Sequence, residues 1–325
     1  MIELNGTLLM KKTFYIIVIL ILGLFFFYAG CQRGEKSSAS SPVVALVLKT
    51  LNNPFFIDMQ RGAEDAAKQL GINLIVQAAE REVDVEKQMQ IIENLIQRKV
   101  AAICVTPSGS KEIVPAIVKA NRAGIPVLVV DTRVDAATLN EAGAEIATFI
   151  GSDNVEGGRI AGEYIIKKLG GQGKVVILEG IPGHETGDAR LKGFHQIMDS
   201  NPGIEIVASQ TANWERDQGF NVFQNILQSH PGVQALFACN DMMALGAMEA
   251  IAAAGKSGQI TVVGFDAVSD ARESIRNGEM QASIAQHPYE MGKLSVEYAY
   301  RLVNGENITE YIPVKIELIT KKNLD

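Results

Sequence analysis

The chain of 325 residues carries 30 Lys plus Arg against 37 Asp plus Glu, a net charge of -7, so no broad basic field exists to attract a nucleic acid. A composition of 47% hydrophobic and 21% charged residues excludes a mostly disordered protein, and the length predicts two domains, because single cores rarely exceed roughly 250 residues. The first element is an uncharged run from Thr13 to Gly30, dominated by Ile, Leu, Val and Phe and preceded by Lys11 and Lys12. This is the pattern of a signal peptide over residues 1–30, although its 18 residues would also just serve as an uncleaved anchor.

Ala29-Gly30-Cys31 resembles the lipobox of bacterial lipoproteins, with Tyr28 in the place usually held by Leu. The resemblance implies lipidation of Cys31 and a membrane-anchored protein, exported to the periplasm or to the outer face of the cell membrane. Residues 31–42 are rich in Ser and polar groups and should form a flexible tether. Cys104 and Cys239 sit in apolar strand-like runs, as small buried hydrophobes do.

From Val43 onward, short apolar runs alternate with amphipathic stretches, the pattern of βαβ units and parallel sheets. Runs begin at 43 (VVALVL), 72 (INLIV), 101 (AAICV) and 126 (PVLVV), and again at 174 (KVVIL), 204 (IEIVA), 234 (QALFA) and 260 (ITVVGF). The pairwise offsets are 131, 132, 133 and 134, so the second half repeats the strand order of the first. The expected fold class is therefore α/β, with two similar Rossmann-like lobes, each a parallel sheet flanked by helices. A helix is predicted from Pro54 to Leu70, stopped by Gly71, with Phe56, Met59, Ala63, Ala66, Ala67 and Leu70 on one stripe. Asp84 should cap a second helix bearing Met89, Ile92 and Ile96, and Asp241 a third that ends at Gly255.

Ligands of open parallel sheets bind beyond the carboxyl ends of the strands. The polar residues at those ends include Lys49 to Phe56, Asp131-Thr132-Arg133, Glu179 leading on to Arg190, then Trp214, Asn240-Asp241 and Asp266. Asp131 and Asp266 lie 135 residues apart and occupy equivalent places in the repeat. Carboxylates, amides and a guanidinium interleaved with aromatic rings suit a sugar, whose hydroxyls need paired donors and acceptors and whose C–H faces pack on rings. Phe55, Phe56 and Trp214 are candidate walls, with helix core as the other place for one or both phenylalanines.

The segments LNNPFF, GSDNVEGGRIAGEYI, ARLKGF, ACNDMMALGA, VVGFD and ASIAQ resemble the ribose-binding group of periplasmic sugar-binding proteins, in register from Val43 to the end. The resemblance implies a type I periplasmic binding protein that captures a monosaccharide, a ribose-like pentose or a hexose, and delivers it to the permease and ATPase of an ABC importer. Carried over residue by residue, it implies ligand contacts from Asn53, Phe55, Phe56 and Asp131 in the first lobe, and from Arg190, Trp214, Asn240 and Asp266 in the second. Gln286, at a crossing between lobes, is implied as well. Where the ribose pattern has Arg after the first Asp, this chain has Thr132 followed by Arg133, which makes both secondary candidates; Trp214 replaces a Phe wall. The family topology implies three crossings, near Gly151 to Asn154, Gln286 to Pro288 and Pro313 to Lys315. The N-terminal lobe would then comprise 43–152 plus 287–314, and the C-terminal lobe 153–286 plus 315–325.

No cofactor or metal is expected, since the four histidines lack short ligand spacing and the three cysteines form no CxxC. A monomer without enzymatic activity is expected. The alternatives are a sugar-sensing receptor for chemotaxis or a sensor kinase, and, more remotely, a glycosidase using Asp131 and Asp266 as acid and base. AGKSG around Ser257 lacks the upstream Gly of a phosphate loop, since Ala250 stands there, and reads as a helix-ending turn.

Overall fold

The computed structural model describes residues 41–324; the signal segment, Cys31 and the tether up to residue 40 lie outside them. Ten strands alternate with helices, the eight that the repeat predicts and one more at the end of each half. In the first lobe β1 (Val43–Leu48), α1 (Pro54–Leu70), β2 (Asn73–Ala78), α2 (Val85–Gln97), β3 (Ala102–Val105), α3 (Val114–Arg122), β4 (Val127–Val130), α4 (Ala136–Glu141) and β5 (Thr148–Gly151) follow in order. The second lobe repeats this with α5 (Asn154–Leu169), β6 (Gly173–Glu179), α6 (Glu185–Met198), β7 (Ile204–Thr211), α7 (Arg216–Ser229), β8 (Ala235–Ala238), α8 (Asp241–Ala253), β9 (Thr261–Asp266), α9 (Ser269–Asn277) and β10 (Ala282–Ala285). The chain then returns through α10 (Pro288–Val303), β11 (Tyr311–Pro313) and β12 (Glu317–Thr320).

The two sheets have equivalent strand orders, β11-β5-β4-β3-β1-β2 and β12-β10-β9-β8-β6-β7. All pairings are parallel except that of the edge strand β12, which runs antiparallel to β10. β1, β3 and β4 are apolar runs buried almost throughout, as parallel strands covered on both faces must be; β2, at an edge, is only half-buried. In each sheet the order reverses at the first strand, β1 or β6, and the crevice that opens at such a switch point is where ligands of doubly wound sheets bind. The connections between the sheets run through residues 152–153, 286–287 and 314–316.

The helices differ from expectation in two caps. Asn240, not Asp241, caps α8, its Oδ1 accepting from the Met243 N–H at 2.9 Å. Asp241 turns inward instead and accepts from the Val268 N–H and the Ser283 hydroxyl. Asp84 holds the N-cap position of α2 without capping it; its carboxylate accepts from the Arg81 N–H. The buried stripe of α2 is Gln88, Ile91, Ile92 and Leu95, so Met89 and Ile96 lie at its margin.

Three helix pairs approach backbone to backbone, and glycine makes each approach possible. A Cβ on Gly62 would sit 1.9 Å from the Tyr289 carbonyl oxygen and one on Gly292 1.8 Å from that of Met59, locking α1 to α10. Gly158 and Gly193 do the same for α5 and α6, and Gly219 and Gly246 for α7 and α8. Any side chain there must force the helices apart in a core packed at crystal-like density. Gly193→Ala and Gly292→Ala should each destabilise the fold by about 1–3 kcal/mol in denaturant unfolding.

Candidate functional site

The nine primary residues expected at the site line one cavity between the lobes, together with Lys49, Glu82 and Thr186. Each sits where a strand or helix end delivers it. Asn53 ends the loop after β1 and caps α1, its Oδ1 accepting from the Phe55 N–H while its Nδ2 donates to Glu82 Oε1 at 3.1 Å. That cap fixes the first turn of α1, so Phe55 and Phe56 both face inward, edge to face with ring centroids 5.2 Å apart. The choice between cleft wall and helix core dissolves, since both rings belong to the core and to the cavity lining.

Lys49 lies at the carboxyl end of β1, 3.6 Å from Asp131 and 3.9 Å from Glu82, all three nearly inaccessible to solvent. Asp131 follows β4 with φ of +64°, a left-handed backbone that swings its side chain off the strand path; Thr132 donates its hydroxyl to Asp131 Oδ2 at 2.9 Å. The equivalent Asp266, the last residue of β9, has φ of +113°. Both lobes therefore hold a carboxylate at the cavity through strained backbone.

In the second lobe Arg190, on α6, is only 3% exposed and fully engaged. Its Nε donates to Asn154 Oδ1 at 2.9 Å, its Nη1 to the Cys239 carbonyl at 2.5 Å, and Asp266 Oδ1 lies 3.9 Å away. The guanidinium lies over the Phe265 ring at 3.7 Å and within 5.6 Å of the Trp214 ring centre. Trp214 itself has φ of +67°, and Asn240 donates to its carbonyl at 3.0 Å. The indole lies against Gly180, where any Cβ would come within 1.9 Å of it. Gln286, in the second crossing, donates its Nε2 to Asp266 Oδ1 at 2.7 Å.

Two buried polar atoms of the cavity residues have no protein partner, the donor Trp214 Nε1 and the acceptor Gln286 Oε1. Lys49 and Arg190 face three carboxyls, those of Glu82, Asp131 and Asp266. Burial raises the Glu82 carboxyl above the usual range, against the pull of Lys49. Burial likewise raises Asp266 well above its ordinary value, opposed chiefly by Arg190. Charge inside the cleft is thus close to balanced, a setting for a neutral polar ligand.

The two secondary candidates do not line the cavity. Thr132 is buried behind Asp131, bonded to it and to Thr186. Arg133 turns away: its guanidinium stacks on Phe149 at 3.8 Å and reaches Tyr311 at 4.9 Å, bracing β5 against β11. Of the three residues outside the expected contact set, Lys49, already among the polar strand-end residues, directly follows β1 at the switch point, and Thr186 precedes Arg190 by one helical turn, a legible signal. Glu82 stands in the irregular loop after β2, where no pattern marks it. Cys104 and Cys239 are buried free thiols, pushed up to about 12 by burial, as small core residues would be.

The periplasmic binding protein domain matches residues 44–307. The ribose import binding protein of Bacillus subtilis is 39% identical over 279 residues, covering 86% of this chain and 87% of that protein. The D-allose-binding periplasmic protein of Escherichia coli is 36% identical over 86% of this chain and 89% of its own length. Among solved structures, an ABC transporter periplasmic solute binding protein from Actinobacillus succinogenes with bound D-allose superposes with a TM-score of 0.83. It has 41% identity and covers 87% of this chain and 99% of that one. The Caulobacter myo-inositol binding protein bound to myo-inositol gives a TM-score of 0.82 at 31% identity, over 88% of this chain and 95% of that one. The repeat, the two switch-point sheets and the cavity between them thus have counterparts along nearly the whole folded chain, and the protein belongs to the periplasmic binding protein family.

Proposed function

We propose that the protein captures a single monosaccharide between its lobes and delivers it to an ABC importer, as a binding protein and not an enzyme. The observation that carries this reading is the lining of the cavity between the lobes, walled by Phe55, Phe56 and Trp214. Between those rings stand Asn53, Asp131, Arg190, Asn240, Asp266 and Gln286, which can meet neighbouring hydroxyls with donors and acceptors in alternation. The relatives support it, since two of them are named for ribose and allose and two related structures hold D-allose and myo-inositol.

The lining favours a small polyol ring over a charged solute. Trp214 presents a broad apolar face and an unsatisfied N–H on its edge, suiting a pyranose that stacks and accepts one hydrogen bond. A guanidinium is missing beside Asp131, where Thr132 stands, so a hydroxyl there must rely on Asp131 and Lys49. An aldopentose or aldohexose pyranose is the ligand class we assign. Lobe closure couples capture to recognition by the importer, because only the closed form presents both lobe surfaces together.

The Cys31 anchor and the tether to residue 42 complete this reading: a lipid-anchored monomer at the outer face of the cell membrane or in the periplasm. Among the described residues no helix is long and apolar enough to cross a membrane. Cys31→Ser should abolish palmitate labelling and leave the signal segment uncleaved, seen as a larger precursor on a gel; unchanged labelling would rule out lipidation of Cys31.

Titration calorimetry of the purified protein against pentoses, hexoses and polyols tests the function directly. Asp266→Ala and Arg190→Ala each strip a buried polar cluster of one member, leaving partners unpaired, and should weaken binding at least about 100-fold with the fold intact. Near-normal affinity in both variants would dismantle the site.

A further inference from the structure

The rim of the cleft carries a separate set of bonds between the lobes. His184, the residue before α6, is 2% exposed, and its Nε2 lies 2.5 Å from the Ser108 carbonyl oxygen of the first lobe. A carbonyl only accepts, so Nε2 holds the proton and Nδ1 keeps a lone pair; Nδ1 has no protein partner. The next residue, Glu185, donates its backbone N–H to Ser110 Oγ at 3.1 Å, and Thr186 donates its hydroxyl to Thr132 Oγ1 at 3.0 Å. Three consecutive residues of one lobe therefore bond three residues of the other. Their receiving loop is rigid, because the fully buried Gln88 accepts from the Ser108 N–H at 2.8 Å and donates to the Thr106 and Leu48 carbonyls.

We infer that His184 and Glu185, gripping the loop from Ser108 to Ser110, form a latch that holds the closed lobes, sets ligand affinity from outside the cavity and makes it pH-dependent. The inference rests on the sugar-capture reading. Neither residue lines the cavity, so the latch acts through the equilibrium between open and closed forms, stabilising only the closed one.

The pH dependence follows from where the imidazole lies. It faces the Ser108 carbonyl, the Trp214 ring with centroids 6.5 Å apart, and the positive charge of Lys49. Burial first, and Lys49 second, push it down to about 3 in the closed form. In an open form the exposed imidazole would titrate near its ordinary value of about 6.5. Above that pH both forms are neutral and the latch is intact. As pH falls below it the open form gains a proton that the closed form must shed, so closure weakens until the penalty levels off near 3. Carboxyls around the latch and cleft oppose this. Glu185, Glu82 and Asp266 are all raised by burial at the cleft, so closing around them takes protons up and is favoured by acid. Arg133 and Arg190 face Glu185 and oppose the rise of its carboxyl. The signature of His184 is therefore a difference between proteins, not the raw profile of one.

Calorimetric titration of D-ribose and D-allose into wild type, His184→Gln, His184→Ala and Ser110→Ala, at pH 7.5 and 5.5, decides the matter. Gln keeps a donor for the Ser108 carbonyl but cannot titrate. At pH 7.5 His184→Ala should bind about 5- to 10-fold more weakly and Ser110→Ala about 3- to 5-fold more weakly, while His184→Gln stays within about 3-fold of wild type. On moving to pH 5.5, wild type should lose about 10-fold in affinity relative to His184→Gln, from the proton that only the open form holds. Circular dichroism confirms that each variant is folded. The latch is overturned if folded His184→Ala and Ser110→Ala bind like wild type, or if the ratio of wild type to His184→Gln is the same at both pH values. Where wild type binds neither of these two sugars, the best ligand of the pentose, hexose and polyol series takes their place; a wild type that binds none of that series overturns the proposed function, and the latch with it.

Discussion

A guanidinium taken out of water has to be surrounded by acceptors and negative charge, and much of the second lobe is arranged around that requirement at Arg190. The Cys239 carbonyl just after β8, the Asn154 amide at the start of α5 and the Asp266 carboxylate at the end of β9 converge on it. Phe265 covers one face of the group. The convergence depends on α6 lying unusually close to α5, which Gly158 permits: a Cβ there would lie 2.0 Å from the carbonyl oxygen of Arg190 itself. Helix packing and site chemistry are thus one constraint, since parting α5 from α6 would pull Arg190 from its acceptors.

The same logic explains the strain. Asp131, Asp266 and Trp214 occupy left-handed backbone, each at a cost of about 1–3 kcal/mol, and all three are cavity residues at strand ends. A strand that continued straight would carry these side chains along the sheet; the φ inversion redirects them into the space between the lobes. That both carboxylates show it, at equivalent places in two halves of different sequence, indicates that geometry and not local sequence preference demands it. The surrounding bonds hold the distortion in place: Thr132 to Asp131, Gln286 to Asp266 and Asn240 to the Trp214 carbonyl.

How far this could be read from residues alone follows physical lines. Buried parallel strands announce themselves as apolar runs, so β1, β3, β4 and their counterparts were legible, and the constant order of the repeat carried the two-lobe architecture. β5, β10, β11 and β12 were not individually legible: each is three or four residues long, and ASIA or YIP has no period to detect. Strand ends located the Lys49 to Phe56 segment, Asp131, Arg190, Trp214, Asn240 and Asp266; the family resemblance added Gln286 and assigned the ligand contacts. Arg133 shows the limit. One position along the chain from Thr132 turns the side chain to the opposite side of the strand path, where Phe149 and Tyr311 capture it. Sequence spacing does not say which of two adjacent polar residues a left-handed backbone will aim inward. Glu82 shows another limit, because its place depends on the Asn53 amide and on Lys49, brought together only by folding.

The charge balance of the cleft bears on selectivity more directly than on affinity. With Lys49 and Arg190 already engaged by protein carboxyls, an anionic solute would have to displace Glu82, Asp131 or Asp266, and a cationic one would meet Lys49 and Arg190 at close range. A neutral polyol disturbs neither set. It adds hydrogen bonds where unpartnered donors and acceptors remain, at Trp214 Nε1 and Gln286 Oε1, and an analogue lacking the matching hydroxyl leaves those atoms unpaired in a nearly dry site. In the proposed reading, discrimination among sugars falls to a few positions, above all the indole resting on Gly180 and the Asp131 carboxylate, which Thr132 and Lys49 hold in place.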